Sequence, residues 1–207
     1  MSLYTLKPRF QTALGGIEIA LVERGVKADW LTASAVAAAA AAATLHGLGW
    51  NAQWPALWLV PPLALARLTL NALDGQVARR SGTARPWGTV LNELGDRLGD
   101  LLFLAPLALV GPVDARLGLV ALCTMLLTSL VGVLAAALGA PRLTSGVFAK
   151  ADRMVALAVL YALALALVAS WPLTLLFWLI LVGSMITLAQ RVARLRVVTG
   201  ESQGRGG

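Results

Sequence analysis

LGLVALCTMLLTSLVGVLAAALGAP, residues 117–141, runs for 25 positions without a charged side chain. A hydrocarbon core about 30 Å thick is crossed by ~20 apolar residues wound as a helix, because every backbone N–H and C=O must be satisfied within the segment. The stretch therefore predicts a membrane span. Two longer charge-free runs, 30–66 and 154–190, predict the same. Around them, 58% of the 207 residues are hydrophobic and 13% are charged, against ~25% charged in ordinary soluble domains. The mean hydropathy is +0.78. Such a chain cannot cover itself with water-facing side chains, which excludes a soluble enzyme, a disordered tail and a nucleic-acid-binding domain. The single cysteine, Cys123, excludes a disulfide framework and a cysteine-rich zinc site.

Hydropathy and helix punctuation predict six spans, at about 31–49, 55–73, 91–110, 117–138, 151–170 and 172–188. The Trp171-Pro172 step divides the last long run, because proline starts helices and keeps the residue before it extended. Near the N-terminus no cleavable signal is expected. Phe10, Leu14, Ile17 and Leu21 recur there at helical spacing, with Gln11, Glu18 and Arg24 on the rest of the turn. Pro8 and Gly25 bracket them, so this segment predicts an amphipathic helix lying in the interface, packed on the remainder or not. The expected fold is an all-α integral membrane protein: six transmembrane helices preceded by an N-terminal amphipathic interfacial helix. The division expected is residues 1–27 for that helix, 28–190 for the six-helix domain and 191–207 for a basic tail.

Fifteen of the 17 basic residues fall on one side of this arrangement; Arg116 stands alone on the other and Arg67 lies inside span two. The positive-inside rule then puts both termini and the basic loops in the cytoplasm, with Trp50, Trp54, Trp58 and Trp171 near the outer boundary. The alanines from Ala37 to Ala43 predict a close-packing surface. His46, with no second metal-ligand candidate nearby, is not expected to be catalytic. Arg191, Arg194 and Arg196 are expected at anionic lipid head groups.

Ionisable groups at membrane depth are costly, so their concentration at the cytoplasmic ends of spans two and three marks a site. On a 3.6-residue helix Arg67, Asn71, Asp74 and Ala78 share one stripe. Glu93, Asp96 and Asp100 share a second, with Asn92 at its edge. Two adjacent antiparallel helices would turn these stripes toward one another and line a cavity with oxygen atoms, which suits a hard divalent cation. The competing reading is that the polar groups only tie helices together or pair with Arg67 and Arg97. The Asp74-Gly75 step admits close approach of a ligand to the backbone, and Gly88 does so opposite it. Composition and spacing stop at a buried acidic, cation-binding site facing the cytoplasm.

Residues 71–96 read NALDGQVARRSGTARPWGTVLNELGD. This resembles the signature of the CDP-alcohol phosphatidyltransferase family: Asp, two residues, Asp-Gly, two residues, Ala-Arg, about eight residues, Gly, three residues, Asp, three residues, Asp. Asp74, Gly75, Ala78, Arg79, Gly88 and Asp96 match in identity and spacing. Asn71 and Asn92 stand where the first and third acids belong. In the family the four carboxylates surround one or two divalent metals, and the fourth acts as general base. An amide oxygen still coordinates a cation but carries no charge and cannot serve as a base. Glu93 and Asp100, on the stripe of Asp96, are candidates to restore the missing charge.

The resemblance implies a metal set of Asn71, Asp74, Asn92 and Asp96 with Glu93 and Asp100, holding Mg2+ or Mn2+, and Asp96 as the catalytic base. It implies a nucleotide pocket of Thr32, Asp74, Gly75, Ala78, Arg79 and Gly88. The acceptor pocket is expected from the next cytoplasmic loop, through Arg142, Ser145, Lys150 and Arg153, whose cations suit a phosphate or sugar-phosphate. The implied reaction moves a phosphatidyl group from CDP-diacylglycerol to a polar alcohol, phosphorylated or not, with release of CMP. The implied partners are the CDP-lipid donor, a small polar alcohol, membrane lipids and a second copy of the chain in a homodimer. The expected location is a bacterial or archaeal cytoplasmic membrane with the site on the cytoplasmic side. Two alternatives remain at this point: a weak or inactive relative that binds CDP-lipid or metal, motivated by Asn71 and Asn92, and a small solute transporter, motivated by intramembrane charge.

Overall fold

The computed structural model describes residues 12–204 apart from 52 and 145. Its elements are helices α1 (Gly15–Glu23), α2 (Ala28–Gly47), α3 (Val60–Arg80), α4 (Pro86–Leu109), α5 (Ala115–Ala137), α6 (Lys150–Ala166) and α7 (Trp171–Gly204), with a 3-10 turn, Pro55–Leu59, leading into α3. No strand occurs among the described residues. Four segments are long and apolar enough to cross a bilayer: Ala28–Gly47, Pro55–Arg80, Ala115–Ala137 and Trp171–Val197. Their outward faces expose Leu119, Leu127, Leu130, Trp178, Val182 and Met185. A water-soluble protein does not display apolar surface on that scale, so these faces meet lipid and the chain is an integral membrane protein.

The helix starts and stops follow local chemistry. Pro86 opens α4 at a position where no N–H is needed, and Arg85 before it is extended, at φ −142° and ψ 154°. Gly25 ends α1 in the left-handed region at φ 68°, where a side chain would strain the backbone. Of the apolar stripe expected near the N-terminus, Leu14 is buried, in a small cluster with Leu31, Leu73 and Val77. Ile17 is half exposed, and Pro8, Phe10 and Gln11 lie outside the described residues. The helix α7 continues without a break past residue 190, so the expected basic tail begins as helix.

The packing order differs from chain order in one respect that matters. Helix α2 packs against both α3 and α4, while α3 and α4 are not a closely packed pair. Beyond this, α3 packs on α6, α4 on α5, α5 on α7 and α6 on α7. The alanine run supplies the flat surface expected of it: Ala35, Ala39 and Ala42 are buried on one face of α2. Lower on the same interface a Cβ added at Gly95 of α4 would lie 3.2 Å from Thr32 Cγ2 of α2, so the two helices approach closely there. Inserting α2 beside them leaves α3 and α4 apart at their polar ends. His46, at the other end of α2, is buried with Nε2 2.8 Å from the Tyr161 hydroxyl, ring stacked on ring. It is a core residue whose Nε2 is bonded and whose buried Nδ1 has no hydrogen-bond partner.

Candidate active site

Where α3 and α4 diverge, a cleft of about 720 Å³ opens, within the ~300–1,000 Å³ usual for small-molecule sites. All six residues expected at the nucleotide line it: Thr32 from α2, Asp74, Gly75, Ala78 and Arg79 from α3, and Gly88 from α4. Asn92 and Glu93 also reach it. Thr32 Oγ1 donates to Asp74 Oδ2 at 2.9 Å and fixes one side of that carboxylate. Across Gly75 the guanidinium of Arg79 folds back one turn. A Cβ on Gly75 would stand 3.2 Å from Arg79 Nη1, so the glycine supplies room for the arginine and not only for a ligand. At the rim, Arg85 pairs with Asp29.

Asp96 lies one turn beyond Asn92 on α4, buried and paired with Lys150 at the start of α6. The charges of Asp96 and Lys150 both act on Asp74, so two carboxylates and one ammonium lie near one another at the cleft's inner end. The other two acids on this stripe are committed elsewhere. Glu93 bridges Arg97, at 2.8 Å, and Arg142. Asp100 is fully buried between Arg67 Nη1 at 2.8 Å and Arg153 Nη2 at 3.0 Å. Arg67 is itself fully buried; its Nη2 donates to the Asp96 carbonyl at 2.8 Å and its guanidinium lies 5.9 Å from the centroid of Phe103. Gly99 makes the space, since a Cβ there would come within 2.8 Å of Arg67 Cζ.

The residues expected to bind metal therefore separate into two groups. Asp74 and Asn92 line the cleft; Asp96 lies one turn beyond Asn92, paired with Lys150, and Asn71 Nδ2 is buried and without a hydrogen-bond partner. Glu93 and Asp100 sit among guanidinium groups. Among the described residues no three His, Cys, Asp or Glu side chains converge as a metal site. Two carboxylates and two amides are an oxygen-only set, and such a set fits Mg2+ or Mn2+ when substrate phosphate oxygens complete the shell.

Of the residues expected at the acceptor, Arg142 pairs with Glu93, Lys150 with Asp96 and Arg153 with Asp100; Ser145 lies outside the described residues. Asp152 accepts from the Ala149 backbone N–H at 2.8 Å, capping α6 and setting the position of Lys150 and Arg153. One arginine was placed differently by sequence reasoning. Arg191, expected at lipid head groups, turns inward and donates to the Thr128 carbonyl at 2.7 Å. A Cβ on Gly132 would lie 2.8 Å from its Nη1. There it shares an electrostatic neighbourhood with Arg97, Arg142, Arg153 and Arg194. Hydropathy put it beyond the membrane; only the facing glycine on α5 hinted that it had a place to go.

No known family profile matches the chain. The inner membrane protein YnbA of Escherichia coli is 34% identical over 172 residues, covering 83% of this chain and 84% of that one. The phosphatidylinositol phosphate synthase of Mycolicibacterium smegmatis is 30% identical over 192 residues, covering 87% and 82%. Among solved structures, the Mycobacterium tuberculosis phosphatidylinositol phosphate synthase with CDP-DAG bound aligns at a TM-score of 0.70 and 25% identity, over 87% of this chain and 92% of that one. The same enzyme in complex with manganese and citrate aligns at 0.71 and 24%, over 87% of each. With a motif brought from two helices to one cleft and a match to such a synthase along most of both lengths, the chain belongs to the CDP-alcohol phosphatidyltransferase family.

Proposed function

We propose that the protein transfers a phosphatidyl group from CDP-diacylglycerol to the hydroxyl of a phosphorylated polar alcohol, releasing CMP, in bacterial phospholipid synthesis. The observation that carries this reading is the convergence of Thr32, Asp74, Gly75, Ala78, Arg79 and Gly88 on one cleft. Helices α4 and α6 complete six spans around it, α1 rests at the interface, and the excess of Lys and Arg sets both termini and the cleft on the cytoplasmic side. The assembly is a homodimer, as family membership implies. A donor with two acyl chains then keeps its tails in the bilayer while its diphosphate and base enter the cleft from the membrane surface.

Within the cleft, Arg79 faces the donor's phosphates and Ala78, Gly75 and Gly88 leave room for the nucleotide. Asp74 and Asp96, with the amide oxygens of Asn71 and Asn92, are the residues that would hold Mg2+ or Mn2+; the ion supplies charge neutralisation on the diphosphate when bound. Asp96 takes the proton from the acceptor hydroxyl. The freed oxygen forms a bond to the lipid-side phosphorus, the bond from that phosphorus to the CMP oxygen breaks, and CMP departs with the electron pair. Arg142, Lys150, Arg153 and Ser145 are assigned to the acceptor, and Arg191 joins them on its placement. Five guanidinium groups, Arg97, Arg142, Arg153, Arg191 and Arg194, act on one neighbourhood, where Glu93 and Asp100 are the acids paired with them. A cluster of guanidinium groups suits an acceptor that brings a phosphate.

The test is CMP release by the full-length protein in detergent with CDP-diacylglycerol and Mn2+, supplied with phosphorylated polyols and with their dephosphorylated counterparts. Release confined to the phosphorylated set is expected. Equal release with both sets removes the phosphate from the reading. A second reading, a weak or inactive relative, is favoured by Asn71, Asn92 and the Lys150–Asp96 pair; CDP-lipid binding without CMP release from any acceptor would establish it.

A further inference from the structure

We infer that the cleft takes one divalent cation and not two, with the Lys150 ammonium standing at Asp96 as the second positive charge. The inference rests on the donor site proposed above. It begins with charge. Four carboxylates carry −4, enough to neutralise two divalent ions, but here Asn71 and Asn92 leave only Asp74 and Asp96, at −2. Two-metal sites hold their ions ~3.5–4 Å apart, where the mutual repulsion is fourfold that of two monovalent charges and must be offset by surrounding anions.

The remaining acids do not make up the deficit: Asp29, which also lines the cleft, pairs with Arg85. Glu93 and Asp100 have the right helical register, yet each already lies between two guanidinium groups: Arg97 and Arg142 for Glu93, Arg67 and Arg153 for Asp100. Both therefore serve the arginine network. The ammonium of Lys150, by contrast, comes in from α6 and pairs directly with the Asp96 carboxylate, where its charge also acts on Asp74. The pair is mostly buried, at 25% and 12% side-chain exposure, so little water intervenes. A monovalent cation on a four-carbon stem thus neutralises one of the two carboxylates. The remaining −1 and the donor's diphosphate suffice for one divalent ion, with the amides of Asn71 and Asn92 as uncharged oxygen donors. The paired replacement of acid by amide and the lysine on α6 become one device.

The experiment counts Mn2+ bound per chain by electron paramagnetic resonance titration of the full-length protein in detergent with saturating CDP-diacylglycerol. The parent is expected to bind one Mn2+ without the broadening of a coupled Mn–Mn pair. Lys150→Met is expected to bind that ion more tightly by about tenfold, since competition for Asp96 is gone. The N71D/N92D/K150M variant is expected to bind two and to show the coupled spectrum. Two ions in the parent, unchanged affinity in Lys150→Met, or a triple variant still limited to one each overturn the inference. A parent that binds CDP-lipid but no Mn2+ overturns it while leaving the donor site standing. A parent that binds neither removes the proposed function as well.

Discussion

Neutralising Asp100 as Asp100→Asn is expected to unfold the protein before it disturbs metal binding. Its carboxylate is fully buried and is the common partner of Arg67, 2.8 Å away, and Arg153, 3.0 Å away. An amide in that position leaves two guanidinium groups, one of them without any exposed surface, with no anion between them. Breaking one buried ion pair costs about 3–5 kcal/mol, because the surviving charge stays desolvated. With two stranded cations the upper part of that range applies. For chains of this size each kcal/mol moves the melting midpoint by about 2–4 °C, so a fall of roughly 10–20 °C is expected. Arg67 also holds the Asp96 carbonyl and lies by the Phe103 ring, so the loss spreads through the α3–α4–α6 contacts. Thermal unfolding of the detergent-solubilised protein followed by circular dichroism, with chelator present throughout, measures it. Adding Arg153→Met to the Asp100→Asn background should recover part of the loss by removing one of the two unpaired cations. If the melting curve without metal is unchanged and only Mn2+ affinity falls, Asp100 is a metal ligand and the arginine network is not what holds it.

Two other substitutions read the cleft directly. Gly75→Ala puts a methyl group 3.2 Å from Arg79 Nη1; the guanidinium shifts, and affinity for CDP-diacylglycerol should fall by about 3–10-fold while helix stability holds or rises by up to ~1 kcal/mol. Unchanged lipid affinity by equilibrium binding would separate Arg79 from the donor. Arg191→Gln removes one charge-assisted contact of about 1.5–3 kcal/mol, so KM for the phosphorylated acceptor should rise by roughly 10–150-fold with donor KM within twofold. Equal effects on both would return Arg191 to a structural role.

Local order decided how much of this was legible in the chain. The Asp74-Gly75, Ala78-Arg79, Gly88 and Asp96 spacing lies on two consecutive helices, so register alone predicts that these residues reach a common cavity. The run Ala37 to Ala43 predicts a close-packing surface on α2 but not which of its faces is buried; the structure buries Ala39 and Ala42 in line with Ala35. What register does not contain is the identity of the groups that arrive from elsewhere. Asp96 and Asp100 occupy the same stripe four residues apart and look interchangeable. They differ because α6 delivers Lys150 to one carboxylate and Arg153 to the other, while α3 sends Arg67 to the second carboxylate and only to the backbone carbonyl of the first. The facing of α3 and α4 across the cleft was legible from their stripes, but not that α2, from before both in the chain, packs against each of them. Helix α4 is two-sided from Pro86 to Asp100: Asn92 and Glu93 reach the cleft and Glu93 and Asp100 meet arginines, while Trp87, Val90, Leu94 and Leu98 are exposed. A charge on a membrane helix reports that the position avoids hydrocarbon. Whether it is catalytic or only paired depends on the sign and rigidity of its partner. Asp100 lies between two guanidinium groups, whereas Asp96 pairs with a single lysine, and that difference is what the proposed role of Asp96 as general base rests on.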